Sequence, residues 1–218
     1  MKPSGTDHPA LQHHFTSLDQ QYQASRLGMW AFLITEILFF GGLFLAYTVY
    51  RMAYAPGFAA ASHHLDVLMG GINTAVLITS SLTMAMAVHA GHEGKAPAIR
   101  RYLILTLVLG LVFLGIKSME YMHKFHEHLV PGANFSFSGY PHPGPELFFS
   151  LYFAMTGLHA FHMIIGMAGL VILTLMAGKG RFTKEYCTPV EMMGLYWHFV
   201  DIVWIFLFPL LYLIGRHG

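Results

Sequence analysis

Five ionisable side chains stand out within the long apolar segments of this sequence, because polar groups are costly there. They are Glu36, His159, His162, His198 and Asp201. Each is a candidate functional residue, because lipid offers such groups no hydrogen-bond partner. A spacing of three residues puts His159 and His162 on one helix face. The same spacing joins His198 to Asp201. At about 1.5 Å per residue, Glu36, His159, His162 and Asp201 fall near the middle of a bilayer.

Three kinds of chemistry are open to this layer. Histidines on different helices can hold a haem iron between them. Carboxylates and imidazoles can form a path for protons or ions. Hydrogen bonds can also simply fix one helix against the next. Haem ligands on one helix usually lie about two to four turns apart, so we favour a polar seam between helices, with no metal ligands. Its predicted members are His159, His162, His198 and Asp201.

Glu36 is the one acidic residue of its apolar segment, and Arg26 and Arg51 lie only at the two ends of that segment. Burial without a compensating charge disfavours a carboxylate. We therefore expect Glu36 to be protonated in hydrocarbon unless a cation or a lipid headgroup partners it.

Lys117 and Glu120 lie three residues apart near the end of another apolar segment. We expect a local ion pair there, with the lysine stem reaching toward the lipid headgroups. A different segment carries small residues at helical spacing, which allow close approach in lipid and predict a face packed on another helix. The small residues are Gly70, Thr74, Ser81 and Ala85.

The composition is that of a membrane protein. Of the 218 residues, 55% are hydrophobic and only 11% are charged, whereas soluble domains carry about 25% charged residues. This excludes an ordinary cytosolic enzyme and a disordered chain, and a net charge of +1 offers no basic surface to nucleic acid. The single cysteine, Cys187, cannot form an internal disulfide, and one thiol does not predict a metal site. Neither a glycine-rich nucleotide motif nor a nucleophile with its base is present, so we do not expect catalysis by this chain alone.

Five segments are long and apolar enough to cross a bilayer as helices, since a span needs about 20 residues. The fold class is therefore all-α, a polytopic helical bundle in which residues 27–218 form a transmembrane domain after a polar tail at 1–26. The predicted spans are about 27–50, 67–90, 102–122, 146–177 and 191–214.

The connections differ in positive charge. Eight lysines and arginines fall on the side that includes the N-terminus: Lys2, Arg26, Lys95, Arg100, Arg101, Lys179, Arg181 and Lys184. The other side receives Arg51, Lys124 and Arg216. Because positive loops stay inside, we predict a cytoplasmic N-terminus and an external C-terminus. The connection at 123–145 carries His123, His126 and His128, which are more simply solvated than metal-bound because no cysteine or carboxylate cluster joins them.

Several motifs together resemble subunit III of haem–copper oxidases. RLGMWAFLITEILFFGGLFLAY (26–47) resembles the glutamate-bearing helix of that family, and NTAVLITSSLTMAMAVHA (73–90) the next one. MEY (119–121) matches a Glu-Tyr helix end, while TGLHAFHMIIG (156–166) and YWHFVDIVWIF (196–206) match two histidine-bearing signatures. The resemblance covers about 26–214, and the last two motifs in this order and spacing are highly specific.

The resemblance implies an accessory, non-redox subunit that has no haem or copper of its own, these cofactors being held by partner subunits. It implies packing on subunit I within a complex that also contains subunit II, bound phospholipid, and support of proton uptake and of sustained turnover. Five spans match the short bacterial form of this subunit, which lies in the inner membrane. That form lacks two N-terminal helices that the long form has. Glu36 corresponds to the family's buried carboxylate; Thr35 and Lys117 depart from the serine and the neutral residue usual in the family.

Other functions stay open on the sequence alone. Quinol oxidases of the family tend to carry Asp at the position of Glu36, which favours a cytochrome c oxidase over a quinol oxidase or a nitric-oxide-reductase accessory protein. A haem b-binding membrane anchor and an independent ion transporter are alternatives from other classes. Contact with further respiratory complexes is also open.

Overall fold

The computed structural model of the chain describes residues 10–132, 134–137, 140 and 143–214. Over these residues the protein consists of six helices and short connections, with no β-strand. The helices are α1 (Leu18–Ala53), α2 (Ala55–Ser62), α3 (Val67–His92), α4 (Ala96–His126), α5 (Gly144–Gly178) and α6 (Thr188–Tyr212). The predicted all-α class is confirmed.

Five of these helices are long and apolar enough to cross a membrane, and the eight-residue α2 is the exception in the described part of the chain. The five predicted spans are thus confirmed as helices, although each helix is longer than its predicted span. α1 begins at Leu18 instead of 27, and α4 runs from Ala96 to His126 instead of 102 to 122. Apolar composition marks the part of a helix that lies in hydrocarbon, whereas the helix itself continues through polar turns on either side.

Local sequence explains where the helices begin. Ser17 caps α1 by accepting a hydrogen bond from the backbone N–H of Gln20 at 3.1 Å. Asp66 caps α3 in the same way, with Met69 as the donor at 3.0 Å. The other four helices carry proline at one of their first two positions, where the missing N–H costs no helical hydrogen bond.

α5 and α6 form the interior of the bundle, and α1 lies at its edge. α6 packs on α1, α3 and α5, while α4 packs on α3 and α5. α1 packs on α5 and α6 through a narrow stripe of buried residues at every seventh position, namely Leu33, Phe40 and Tyr47. Most of the rest of its apolar surface faces outward.

Connections at the two ends of the bundle fix the direction of the helices. At one end the Tyr47 hydroxyl donates to the backbone carbonyl of Leu210 at 2.6 Å, and Ser62 donates to Ile214 at 2.7 Å. At the opposite end, Tyr22 of α1 and His92 of α3 line a pocket with Cys187, just before α6. The first and last described helices therefore begin at the same end and run parallel. Which end faces the cytoplasm stays a prediction from the charge asymmetry.

The stripe of small residues on α3 packs on α6, as expected. Gly70 lies against the rings of Phe208 and Tyr212. The Trp204 indole N–H donates to the Thr74 hydroxyl at 3.0 Å. Small side chains thus let α6 bring its large aromatic residues against α3.

Two glycines should differ in how well they tolerate an added methyl group, because Gly166 lies where α5 packs tightly on α6 and Gly115 does not. A Cβ on Gly166 would lie 2.9 Å from the ring of Trp197, which is fully buried and cannot move aside. We expect Gly166→Ala to destabilise the protein by about 1–3 kcal/mol through overpacking. Gly115→Ala, whose Cβ would meet nothing within 4 Å, is the matched control and should be neutral. Unfolding of both variants in SDS, followed by helical circular dichroism, checks this; equal midpoints would contradict the packing.

Candidate functional site

Glu36 of α1 and His162 of α5 form a polar contact between two helices. Oε2 of Glu36 lies 3.0 Å from Nε2 of His162. The side chains are 19% and 9% exposed respectively. The sequence predicted no cation near Glu36 on its own helix, and the structure supplies the partner from a different helix.

The hydrogen bonds of His162 restrict where its protons lie. Nδ1 is 2.9 Å from the backbone carbonyl oxygen of Leu158, which can only accept, so Nδ1 carries a hydrogen. Nε2 then either accepts from a protonated Glu36 or, when protonated itself, donates to the Glu36 carboxylate. In both arrangements the pair holds one exchangeable proton and has no net charge.

His159 makes a different contact, although it lies one turn from His162. Its Nε2 is 3.1 Å from the backbone carbonyl oxygen of Val200 on α6, so Nε2 donates. The ring packs on Phe113 and Trp204 and is 1% exposed. Its Nδ1 has no hydrogen-bond partner among the described residues. His159 therefore ties α5 to α6.

His198 and Asp201 face α3 from α6. Nδ1 of His198 lies 2.7 Å from the Ser81 hydroxyl. Asp201 is 3% exposed, and within the described chain neither of its carboxyl oxygens is hydrogen bonded. The Ser81 hydroxyl lies near the Asp201 carboxyl, but its hydrogen bond of good geometry is the one with His198, in which either group can be the donor. The three residues line a pocket of about 230 Å³ between apolar side chains of α3 and α6.

The four residues predicted as one polar seam thus divide into three contacts. His162 joins α5 to α1, His159 joins α5 to α6, and His198 shares a pocket with Asp201 at the α3–α6 contact. A shared depth in the membrane does not bring side chains together when their helices face different neighbours.

Lys117 and Glu120 form a closed network with two tyrosines. Nζ of Lys117 donates to Oε2 of Glu120 at 3.0 Å and to the hydroxyls of Tyr152 and Tyr212 at 3.0 and 2.5 Å. Both tyrosines in turn donate to Oε1 of Glu120, at 2.8 and 2.6 Å. All three ammonium hydrogens and both hydroxyl hydrogens are therefore used.

This network is buried, which differs from the expected position of the lysine. Lys117 is 2% exposed, and its stem does not reach toward the headgroups. The ammonium also lies 4.8–5.5 Å from the ring centroids of four aromatic residues, at cation–π distance. They are Tyr121, Tyr152, Trp204 and Tyr212. The sequence does contain a signal for these aromatic neighbours of Lys117. Trp204, Phe208 and Tyr212 are spaced by four residues, which places their rings on one face of α6.

A second Lys–Glu pair lies one heptad further along α4. Nζ of Lys124 donates to Glu127 at 2.8 Å and to the backbone carbonyl of His64 at 2.7 Å, which fastens the α2–α3 connection to α4. Partial burial raises the pKa of Glu127, but the hydrogen bond and charge of Lys124 outweigh it and leave that pKa below its usual value. Nε2 of His123 lies 3.1 Å from Glu127.

Among the described residues, one group of His, Cys, Asp and Glu side chains brings three ligand atoms within 4.8 Å of one another. It consists of His92, Cys187 and Glu191 and excludes His123, His126 and His128. Burial, followed by the neighbouring Glu191 carboxylate, raises the pKa of the Cys187 thiol to about 12. Sequence reasoning missed this group, because its members come from separate helices.

A groove runs along α6 beside α1, and we call it the α1–α6 groove. Its apolar part has a volume of about 430 Å³ and is lined by side chains such as Ile37, Phe44 and Phe206. It continues into a pocket of about 370 Å³ lined by Arg26 and other polar residues. Trp30 and His198 line both parts. The groove thus combines a long apolar trunk with a polar mouth, which both the Arg26 guanidinium and the Glu191 carboxylate line.

Comparison with known proteins gives one family over nearly the whole chain. The family model for cytochrome c oxidase subunit III matches residues 10–216. A probable cytochrome c oxidase subunit 3 of Nocardia farcinica is 33% identical over 210 residues, covering 96% of this chain and 97% of that protein. The cytochrome c oxidase subunit 3 of Corynebacterium diphtheriae is 36% identical over 193 residues, covering 86% and 87%. A quinol oxidase subunit 3 of Bacillus spizizenii is 31% identical over 212 residues, covering 95% and 98%.

The closed network predicts strong coupling between Lys117 and Glu120. Lys117→Met leaves a buried carboxyl without its cation and should destabilise the protein by about 3–5 kcal/mol. Because a buried pair can be exchanged for apolar residues at little cost, Lys117→Met with Glu120→Leu should recover much of that loss. SDS unfolding followed by tryptophan fluorescence measures it, since Nζ lies 5.0 Å from the Trp204 ring.

The matched control is Lys95→Met, which removes a lysine from an exposed pair with Glu93 at 2.9 Å. It should leave the unfolding midpoint unchanged, because exposed pairs contribute little. Additive effects of the two buried substitutions would contradict the network.

Proposed function

The chain belongs to the cytochrome c oxidase subunit III family, and on this premise we propose that it is the accessory, non-redox subunit of a proton-pumping haem–copper terminal oxidase. It packs on catalytic subunit I in a complex that also holds subunit II, in a bacterial inner membrane. The match of the family model over residues 10–216 carries this proposal. A multi-pass architecture and membership of the subunit III family are common to cytochrome c oxidases and quinol oxidases.

The proposal assigns haem and copper to the partner subunits. Its support is the engagement of the buried imidazoles, which in the haem-anchor alternative would ligate iron. Both ring nitrogens of His162 are hydrogen bonded, so this imidazole has no free lone pair for iron. His159 and His198 each use one ring nitrogen in a contact with another helix, and that contact places no restriction on the second nitrogen. Each histidine therefore already stabilises a helix contact.

We assign support of proton uptake in subunit I to the Glu36–His162 pair. The pair shares one exchangeable proton, and neither of its two arrangements leaves an unpaired charge in lipid. The Glu36 side chain is 19% exposed, so the pair is accessible from the surface of α1. Net release of that proton would leave an unpaired Glu36 carboxylate, which is costly in lipid. The pair can therefore pass a proton on at low cost only when it takes up another at the same time.

The α1–α6 groove supports the proposed binding of phospholipid. Its trunk offers an apolar surface for an acyl chain, and Arg26 at its mouth offers a guanidinium for a phosphate. Trp30 lies between the two parts, and aromatic residues of this type favour the level of the headgroups.

Asp201 supports the α3–α6 face as the surface that meets subunit I. A buried carboxyl without a hydrogen-bond partner is costly, and within the described chain neither of its oxygens has one. A donor from the neighbouring subunit, entering the pocket beside Ser81, would satisfy it. Ile78 and Ile202 at the pocket rim are more than half exposed and extend this contact with apolar area.

We place the chain with cytochrome c oxidases because residue 36 is glutamate instead of aspartate, and a quinol oxidase is the alternative. Relatives of both kinds match over almost their entire length, such as the proteins of Nocardia farcinica and Bacillus spizizenii. The electron donor binds to other subunits, so it has to be identified by assaying the purified complex.

Purification through a tag on this chain tests the function. From native membranes it should recover a complex with haem and copper that oxidises reduced cytochrome c, and the chain purified alone should show no Soret band. Asp201→Leu should lower the yield of the catalytic subunit while leaving the unfolding of the isolated chain unchanged. A haem that stays with the isolated chain would overturn the non-redox assignment.

Substitution of Glu36 tests the proton role. Glu36→Gln keeps the shape and the hydrogen bond to His162 but removes the exchangeable proton. We expect normal assembly, together with faster loss of activity during turnover or fewer protons pumped per electron. Asp19→Asn, which changes an exposed carboxylate on the same helix, is the control and should match the parent. If turnover, pumping ratio and lifetime all equal those of the parent, Glu36 serves only in packing.

A further inference from the structure

Three side chains of different chemistry meet where α3 ends and α6 begins. His92 is the last residue of α3, Cys187 precedes α6 directly, and Glu191 follows one turn later. Their ligand atoms all lie within 4.8 Å of one another. Oε1 of Glu191 is the shared partner, 3.0 Å from Sγ of Cys187 and 3.6 Å from Nε2 of His92.

We propose that His92, Cys187 and Glu191 form a binding site for one divalent transition-metal ion, with zinc as the best match. An imidazole nitrogen, a thiolate and a carboxylate oxygen are the three ligand types that zinc takes in proteins. Bonds of about 2.0–2.3 Å in a tetrahedral site separate neighbouring ligand atoms by about 3.5 Å. The two measured separations fall on either side of that value.

Local packing holds the three ligands in this arrangement. Cys187 and Glu191 are four residues apart and project from the same side of the first turn of α6. The end of α3 can approach them because residue 91 is glycine, where a Cβ would lie 3.2 Å from Cβ of Cys187. His92 is thereby brought to the other two ligands without requiring a flexible loop.

The site is open on one side, so an ion can enter and a fourth position stays available for water. His92 and Glu191 line two adjoining pockets of about 370 and 530 Å³. Zinc sites with three protein ligands commonly complete the tetrahedron with water. Binding replaces the S–H of Cys187 by a zinc–sulfur bond and releases that proton to solvent, with no change of oxidation state.

The location indicates what a bound ion would do. It would join the end of α3 to the start of α6, at the mouth of the α1–α6 groove that Arg26 also lines. An ion bound to the folded chain and not to the unfolded one stabilises the fold. The site is thus a metal-dependent clamp at this end of the bundle.

The test uses the full chain purified in detergent and stripped with a chelator, with zinc and cobalt(II) as probes. We expect one zinc per chain, a rise in the midpoint of thermal unfolding, and a cobalt spectrum with a thiolate charge-transfer band. Glu191→Gln and His92→Ala should each weaken zinc binding at least about tenfold. Cys187→Ser should remove the charge-transfer band.

His89→Ala is the matched control, because His89 lies one turn earlier on α3 and faces Glu93 at 3.8 Å in an exposed pair. It should leave binding unchanged. His92 has a side chain that is 58% exposed, so its substitution tests the site without threatening the fold. Binding that survives the three ligand substitutions, an equal loss in His89→Ala, or no zinc uptake at micromolar concentration would each overturn the proposal.

Discussion

Hydrocarbon offers no partner to a polar side chain, so the polar groups inside this bundle depend on partners within the protein, and the larger ones find them on another helix. α6 makes most of these hydrogen bonds between helices. Its Trp197 and Trp204 donate to hydroxyls of α3, its Tyr196 hydroxyl donates to the backbone of α5, and its Tyr212 completes the network around Lys117. The helix order and the close contact of α6 with α3 and α5 follow from these pairings.

The buried polar groups differ in how completely they are satisfied, and this difference separates structure from function. Lys117, Glu120 and their two tyrosines use every available hydrogen, so the network has nothing to offer a ligand. Glu36 and His162 share one proton whose position is not dictated by the surrounding bonds. Asp201 has no bonded partner among the described residues. Proton exchange and recognition of a partner are therefore assigned to the incompletely satisfied groups, Glu36 with His162 and Asp201.

The edge position of α1 has consequences of its own. A helix of 36 residues held by a stripe at every seventh position leaves most of its apolar surface outward. The same narrow contact opens the α1–α6 groove and keeps Glu36 close to the surface. A more deeply packed α1 would bury the pair and close the groove, so peripheral packing is what makes both accessible.

The sequence by itself predicted the all-α class, the five spans, the small-residue face of α3 and the family resemblance. These depend on local properties, since hydropathy, helical spacing and motifs are read along one segment at a time. Only the tertiary structure decided that His162 partners Glu36, that Tyr152 and Tyr212 enclose Lys117, and that His92 meets Cys187 and Glu191. It also decided that α2 forms and that α1 begins at Leu18, within the predicted polar tail. Such contacts depend on which helices are neighbours and how each is rotated about its axis, and neither quantity is set by any single segment.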